Sequence, residues 1–226
     1  MAENAPPPAP PKADPPPPPP SPPLLTLVVK NQSTVPGIQY FNVFPPPLDI
    51  SPLPPPQELT VVPTVSDATN NSTQPKAVLK WPAPPTLSLI ALKRGDGMGA
   101  ATPTPVTLGS TVAINWKDGA FAIVATPGTG DTIKLAFDPA IPTGSRVGLF
   151  VGPGPTFMPI GGEGLTLTPS MTPNYTVQFG TPAGGPVDFK DLSALAPVSF
   201  MGNTALIVVG SDNVIVQRDD ELEPDD

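Results

Sequence analysis

The chain has 226 residues, a formal net charge of -8, forty prolines, and neither cysteine nor histidine. Disulfides, Ser-His and Cys-His catalytic pairs and Cys/His zinc sites are therefore excluded. The eleven basic residues are scattered, with Lys93-Arg94 the sole adjacent pair, so the clustered cations that displace phosphate counterions are missing and nucleic acid is not an expected partner.

Residues 1–23 hold thirteen of the prolines. Proline fixes φ and carries no N–H, so this stretch cannot join a sheet ladder or continue a helix, and it is read as a disordered polyproline II arm. Within it Lys12, Pro15 and Pro18 have a basic-x-x-Pro-x-x-Pro spacing, and Pro15 opens a run of six prolines. Aromatic grooves of SH3, WW, EVH1 and profilin-type domains take such segments because a pre-extended chain loses little entropy on binding. The simpler reading is a solubilising arm without a partner. The arm has no apolar run of signal-peptide length, and no stretch approaches about 18 apolar residues, so a cytoplasmic location without a membrane span is expected.

At Leu24 the character changes to LLTLVVK, an apolar β-branched run, and a second run covers residues 38–44. There Phe44-Pro45-Pro46-Pro47 resembles an EVH1 ligand with Leu48 where a fourth proline belongs, although a strand position for Phe44 argues that it packs instead. Residues 45–56, with seven prolines, read as a long exposed connection. Further expected strands cover 59–62, 77–81 and 87–92. Trp81 ends its run before Pro82 and is the better of the two tryptophans for a surface, sugar-stacking platform, although core or edge packing is the simpler assignment. Arg94-Gly95-Asp96-Gly97 is a plain turn, since no helix pattern or Gly-Lys-Ser/Thr follows it.

Period-two alternation then becomes clear. Val112, Ile114 and Trp116 share one face, which assigns Trp116 to the core; Ile133, Leu135 and Phe137 share another, and so do Tyr175, Val177 and Phe179. Asp118-Gly119 between apolar runs predicts a type I′ hairpin. Other strands are expected at 120–125, 146–151, 165–168, 198–201, 205–209 and 213–217. Most of the eleven carboxylates within 24–218 lie beside Gly, Pro or Ser, where their side chains bond the local backbone. Residues 219–226 carry six carboxylates and no base, a solvated, disordered acidic tail.

These features predict an all-β chain: an antiparallel β-sandwich of about 10–13 short strands over residues 24–218, with a disordered arm and tail. The segments TVAINWKDGAFAIV (111–124), KLAFDPAIPTGSRVGLFVG (134–152) and LTLTPSMTPNYTVQFG (165–180), with Asn31-Gln32-Ser33 leading to Phe41-Asn42-Val43-Phe44-Pro45, resemble a family of small microbial β-sandwich proteins. That family is called RhiA-type and has many fungal members. The resemblance spans roughly 24–218. It implies a sandwich and no catalytic residue, and the arm, the tail and the insert at 45–56 depart from it.

The leading functional expectation is a non-enzymatic intracellular module with a structural or interaction role and no cofactor or metal. The alternatives are a carbohydrate-binding or weakly hydrolytic sandwich using Trp81 and loop carboxylates, and an adaptor whose arm docks on proline-recognition domains. Unpaired sheet edges add the possibility of self-association.

Overall fold

A computed structural model describes residues 21–34, 39–161, 164–180, 187–188, 196–212 and 214–218. Lys12, Pro15 and Pro18 of the arm and the acidic tail lie outside the described residues. The chain is all-β, as its alternation predicts, but it builds two sandwiches with separate cores.

In chain order, β1 (Leu24–Asn31) and β2 (Tyr40–Phe44) belong to the first sandwich, and β3 (Leu48–Ser51) and β4 (Thr60–Val61) to the second. The short β5 (Thr64–Val65) and β6 (Lys76–Pro82) return to the first. The second then takes β7 (Leu87–Leu92), β8 (Thr104–Val106), β9 (Thr111–Lys117), β10 (Ala120–Thr126), β11 (Ile133–Phe137), β12 (Arg146–Val151), β13 (Gly154–Pro159) and β14 (Leu165–Pro169). β15 (Tyr175–Gly180) goes back to the first, β16 (Val187–Asp188) to the second, and β17 (Ala196–Val198), β18 (Thr204–Val209) and β19 (Ile215–Gln217) close the first. The strands outnumber the expected 10–13 because several are pieces of two to four residues, too short to show a period.

Sheet β19-β18-β1-β6 covers sheet β17-β15-β2-β5, and sheet β10-β9-β11-β14-β3 covers sheet β16-β4-β13-β12-β7-β8. Pairing is mostly antiparallel, with β1–β18 and β11–β9 parallel. Leu27, Val29, Phe41, Val43, Val177 and Ile207 fill the first core; Val112, Ile114, Ile133, Leu149, Met158 and Leu167 fill the second. Each such side chain removed from water contributes about 1.5–3 kcal/mol. The opposite positions of the same strands, such as Lys134 and Gln178, are exposed, as a period of two requires.

Proline explains why there are two cores. Pro45-Pro46-Pro47, Pro63, Pro82 with Pro84-Pro85, and Pro169 with Pro173 mark the crossings between sandwiches. A residue without an N–H cannot extend a ladder, so the chain leaves its sheet there and enters the other sandwich. This corrects the expectation of an exposed connection for the first part of 45–56, while residues 51–56 are exposed apart from the half-buried Pro54. Pro45 and Pro46 are buried, and Leu48 and Ile50 inside that segment belong to the second core.

Where the two sandwiches meet, the Gly152-Pro153 turn approaches Trp81 and Tyr175. Trp81, Tyr175 and Phe200 pack edge to face, with ring centroids 4.9, 5.8 and 5.9 Å apart. The Tyr175 hydroxyl is buried without a hydrogen-bond partner. Burial raises the phenol above its ordinary pKa of 10.0; the indole N–H of Trp81 acts the other way, without forming a well-shaped bond to it. The fold thus needs the neutral phenol. The stability that this preference contributes is fully present below about pH 10, the unfolded value, and is lost as pH rises through the raised folded value. The difference in melting temperature between wild-type and Tyr175→Phe should therefore stay constant up to about pH 9 and then change, the wild-type falling faster. Parallel curves up to pH 12 would remove this assignment. Below that range no histidine titrates, so stability between about pH 5 and 8 should be nearly flat.

Candidate functional site

The hairpin β9–β10 forms as its turn residues dictate. Asp118 has φ 52° and Gly119 φ 82°, the two left-handed positions of a type I′ turn, and Lys117 pairs with Ala120 across it. Cross-strand register then sets Trp116 opposite Phe121, with ring centroids 4.8 Å apart at 68°. The two rings, with Ala120 and Ile123, form one wall of a concavity of about 400 Å³ whose other wall is the end of β7 and the segment 93–104. That volume lies in the range of small-ligand or side-chain pockets.

On the other side of the 93–98 segment lies a second hollow, of about 500 Å³, with Arg146, Phe157, Met98 and Arg94 among its lining residues. The Arg146 guanidinium donates to the Glu58 carbonyl at 2.8 Å and to Thr60 Oγ1 at 2.6 Å, and it lies 5.8 Å from the centre of the Phe157 ring. Burial lowers the Arg146 pKa below that of a free guanidinium, and the charge of Glu58 opposes that shift. The group is a fixed cation that ties β12 to β4.

The strand β10 itself is the third feature. Two-residue hairpin geometry bonds Ala120, Ala122, Val124 and Thr126 to β9, so the N–H and C=O of Phe121, Ile123 and Ala125 point away from the sheet. The strand is an edge of its sheet and reads AFAIVAT, seven residues with no charge and no proline; Val124 is 55% exposed. The other edges among the described residues are guarded. β6 carries Lys76, Lys80 and Pro82, and β3 carries Asp49 between Pro47 and Pro52; β8 contains Pro105 and β17 Pro197, while β5, β16 and β19 are two or three residues long. Charge, proline and brevity are the usual means of keeping an edge from pairing with another chain, and β10 has none of them.

The structure buries Trp81 and leaves Trp116 partly open. Trp81 is 6% exposed in the first core, so it offers no face to a sugar and the simpler packing assignment stands. Trp116, assigned to the core, is half-buried at the concavity, because the strand runs past the end of the opposing sheet. Phe44 is 1% exposed and Pro45 and Pro46 are buried, leaving only Pro47 on the surface. The Phe-Pro-Pro-Pro segment is thus a packed crossing with one proline on the surface.

The carboxylates behave as turn residues. Asp138 accepts the Ala140 N–H at 2.9 Å and Asp212 the Val214 N–H at 3.1 Å. The buried hydroxyls of Ser66 and Ser145 donate to backbone carbonyls, and that of Ser110 bonds Thr107. Among the described residues no group of three or more acidic, His or Cys side chains converges on a metal site, and no helix is long and apolar enough to cross a membrane.

No protein-family model, no curated protein and no solved structure matches the chain. The likeness to RhiA-type proteins rests on the quoted motifs alone.

Proposed function

We propose that this chain is a non-enzymatic interaction module whose working surface is the open edge β10 together with the aromatic concavity beside it. The observation that supports this reading is that one long edge lacks the charges, prolines or shortness that guard every other described edge. An extended segment laid along β10 gains main-chain hydrogen bonds from Phe121, Ile123 and Ala125, and every second side chain can reach the hollow lined by Trp116 and Phe121.

Selection of random displayed peptides against the whole chain tests it. Extended apolar sequences should be enriched and should lose at least tenfold in affinity on Ala125→Pro. That change removes an outward N–H and leaves the β9 ladder intact. Selection of nothing, or binding indifferent to this change, would set the reading aside.

A carbohydrate-binding reading is carried by Trp116 in place of Trp81, since a half-buried indole in a concave site is a sugar platform. Glycan binding lost on Trp116→Ala and kept on Ala125→Pro would favour it. The proline-rich arm bears on a third reading, as an adaptor for SH3-type grooves, which rests on the spacing of Lys12, Pro15 and Pro18.

A further inference from the structure

The edge of β10 is complementary to itself. We infer that the partner of β10 is β10 of a second copy, paired antiparallel about a two-fold axis through Ile123. This rests on the interaction reading above and names its partner.

Hydrogen-bonding parity supplies the first argument. The outward-pointing groups belong to Phe121, Ile123 and Ala125, and only registers that set outward residues opposite outward residues can close bonds. Pairing Ile123 with Ile123 of the copy sets Phe121 opposite Ala125 at both ends. Three pairs then exchange two bonds each, roughly six in all. A shift of two residues in either direction keeps the parity but loses one of the three pairs.

Side-chain size supplies the second argument. In the centred register the large Phe121 meets the small Ala125 on the core face, and on the outer face Val124 meets Ala122 and Ala120 meets Thr126. Large therefore faces small at every step except the centre, where the two Ile123 side chains meet across the axis as a β-branched pair of the kind that packs well between strands. Shifting the register by two sets Phe121 against Ile123 or leaves it beyond the end of the partner strand.

Charge supplies the third. The seven residues carry none, so bringing two identical strands together creates no like-charge pair, which would otherwise oppose any homotypic edge. The outcome is a closed two-fold assembly. Each copy uses its β10 once, and two five-stranded sheets become one of ten strands. The remaining edges among the described residues are guarded, so growth stops at the dimer.

Sedimentation of the full chain tests this across about 5 to 500 µM, where small interfaces dissociate. The wild type should pass from monomer to dimer within that range, independently of ionic strength because the contact is uncharged. Val124→Lys adds a cation on an exposed position beside the two-fold axis and should abolish the dimer, with a melting curve unchanged at the low concentrations where the wild type is monomeric. Ala125→Pro removes an outward N–H and should do the same; if proline unfolds the strand, the lysine variant carries the test alone. A wild type that stays monomeric throughout, or a dimer that persists in the folded variants, overturns self-pairing. Peptide selection separates the two readings. Binders lost on Ala125→Pro with a monomeric wild type would leave the interaction module standing with another partner, and the absence of both would remove each.

Discussion

Trp81→Ala is expected to lower the unfolding free energy by about 3–5 kcal/mol, a large share of the roughly 5–15 kcal/mol that holds a domain together. The indole is buried in the first core against Tyr175 and Phe200, at centroid distances of 4.9 and 5.9 Å. Its truncation removes transfer energy, two edge-to-face contacts and the packing under the turn at Gly152. The surroundings are two sheets that cannot close over the gap without moving their hydrogen-bonded strands, so the cavity persists. Urea titration followed by circular dichroism measures the loss. Trp116→Ala, at the half-buried position, should cost less than half as much. Equal costs for the two changes would contradict the placement of the tryptophans.

A comparable loss, about 3 kcal/mol or more, is expected from adding a single methyl group at Gly154. A Cβ at that position would strike the backbone carbonyl oxygen of Val62, with the ring of Pro45 also close. The obstacle is main chain and cannot rotate away. Val62 also donates its N–H to the Pro155 carbonyl at 3.0 Å, so a shift there loosens the bond that seats the end of β4 on β13. Gly161→Ala is the control. Nothing lies within 4 Å of its added Cβ, and its effect should stay within about 0.5 kcal/mol. Melting temperatures of the two variants side by side decide the point, and similar values would show that the crossing has slack.

Much of the fold was legible because a sheet side chain alternates face with every residue. The runs at Val112–Ile114, Ile133–Leu135 and Tyr175–Val177 are buried where their period places them, and the Asp118-Gly119 turn has the dihedral angles its residues demand. What alternation lacks is any marker of which sheet lies opposite. Two sandwiches and one larger sandwich leave the same pattern along each strand, so the second core was invisible. The prolines held that information. Read as signs of exposed loops, they are points where the chain changes sheet, and those at 45 and 46 are buried as a result. The tryptophans show the same gap: period places Trp116 on an inward face but says nothing about where the covering sheet ends. The edge β10 was readable only in part. Its lack of charge and proline is plain in the sequence, while its position beyond the last hydrogen-bonded neighbour emerges from topology.

The parallel pairing of β1 with β18 matters for synthesis on the ribosome. Residues 26–31 find their partners at 204–209, so that flank of β1 waits until about 175 further residues have emerged, and β2 waits likewise for β15. The strands of the second unit between residues 87 and 169 are contiguous in the message and can assemble early. The nascent chain thus carries a second sandwich that lacks only the two-residue β16, while apolar segments such as LLTLVV are paired with β6 along one flank alone. That interval is where holding by a chaperone has most to protect, and where early termination of translation leaves half a protein with an orphaned sheet.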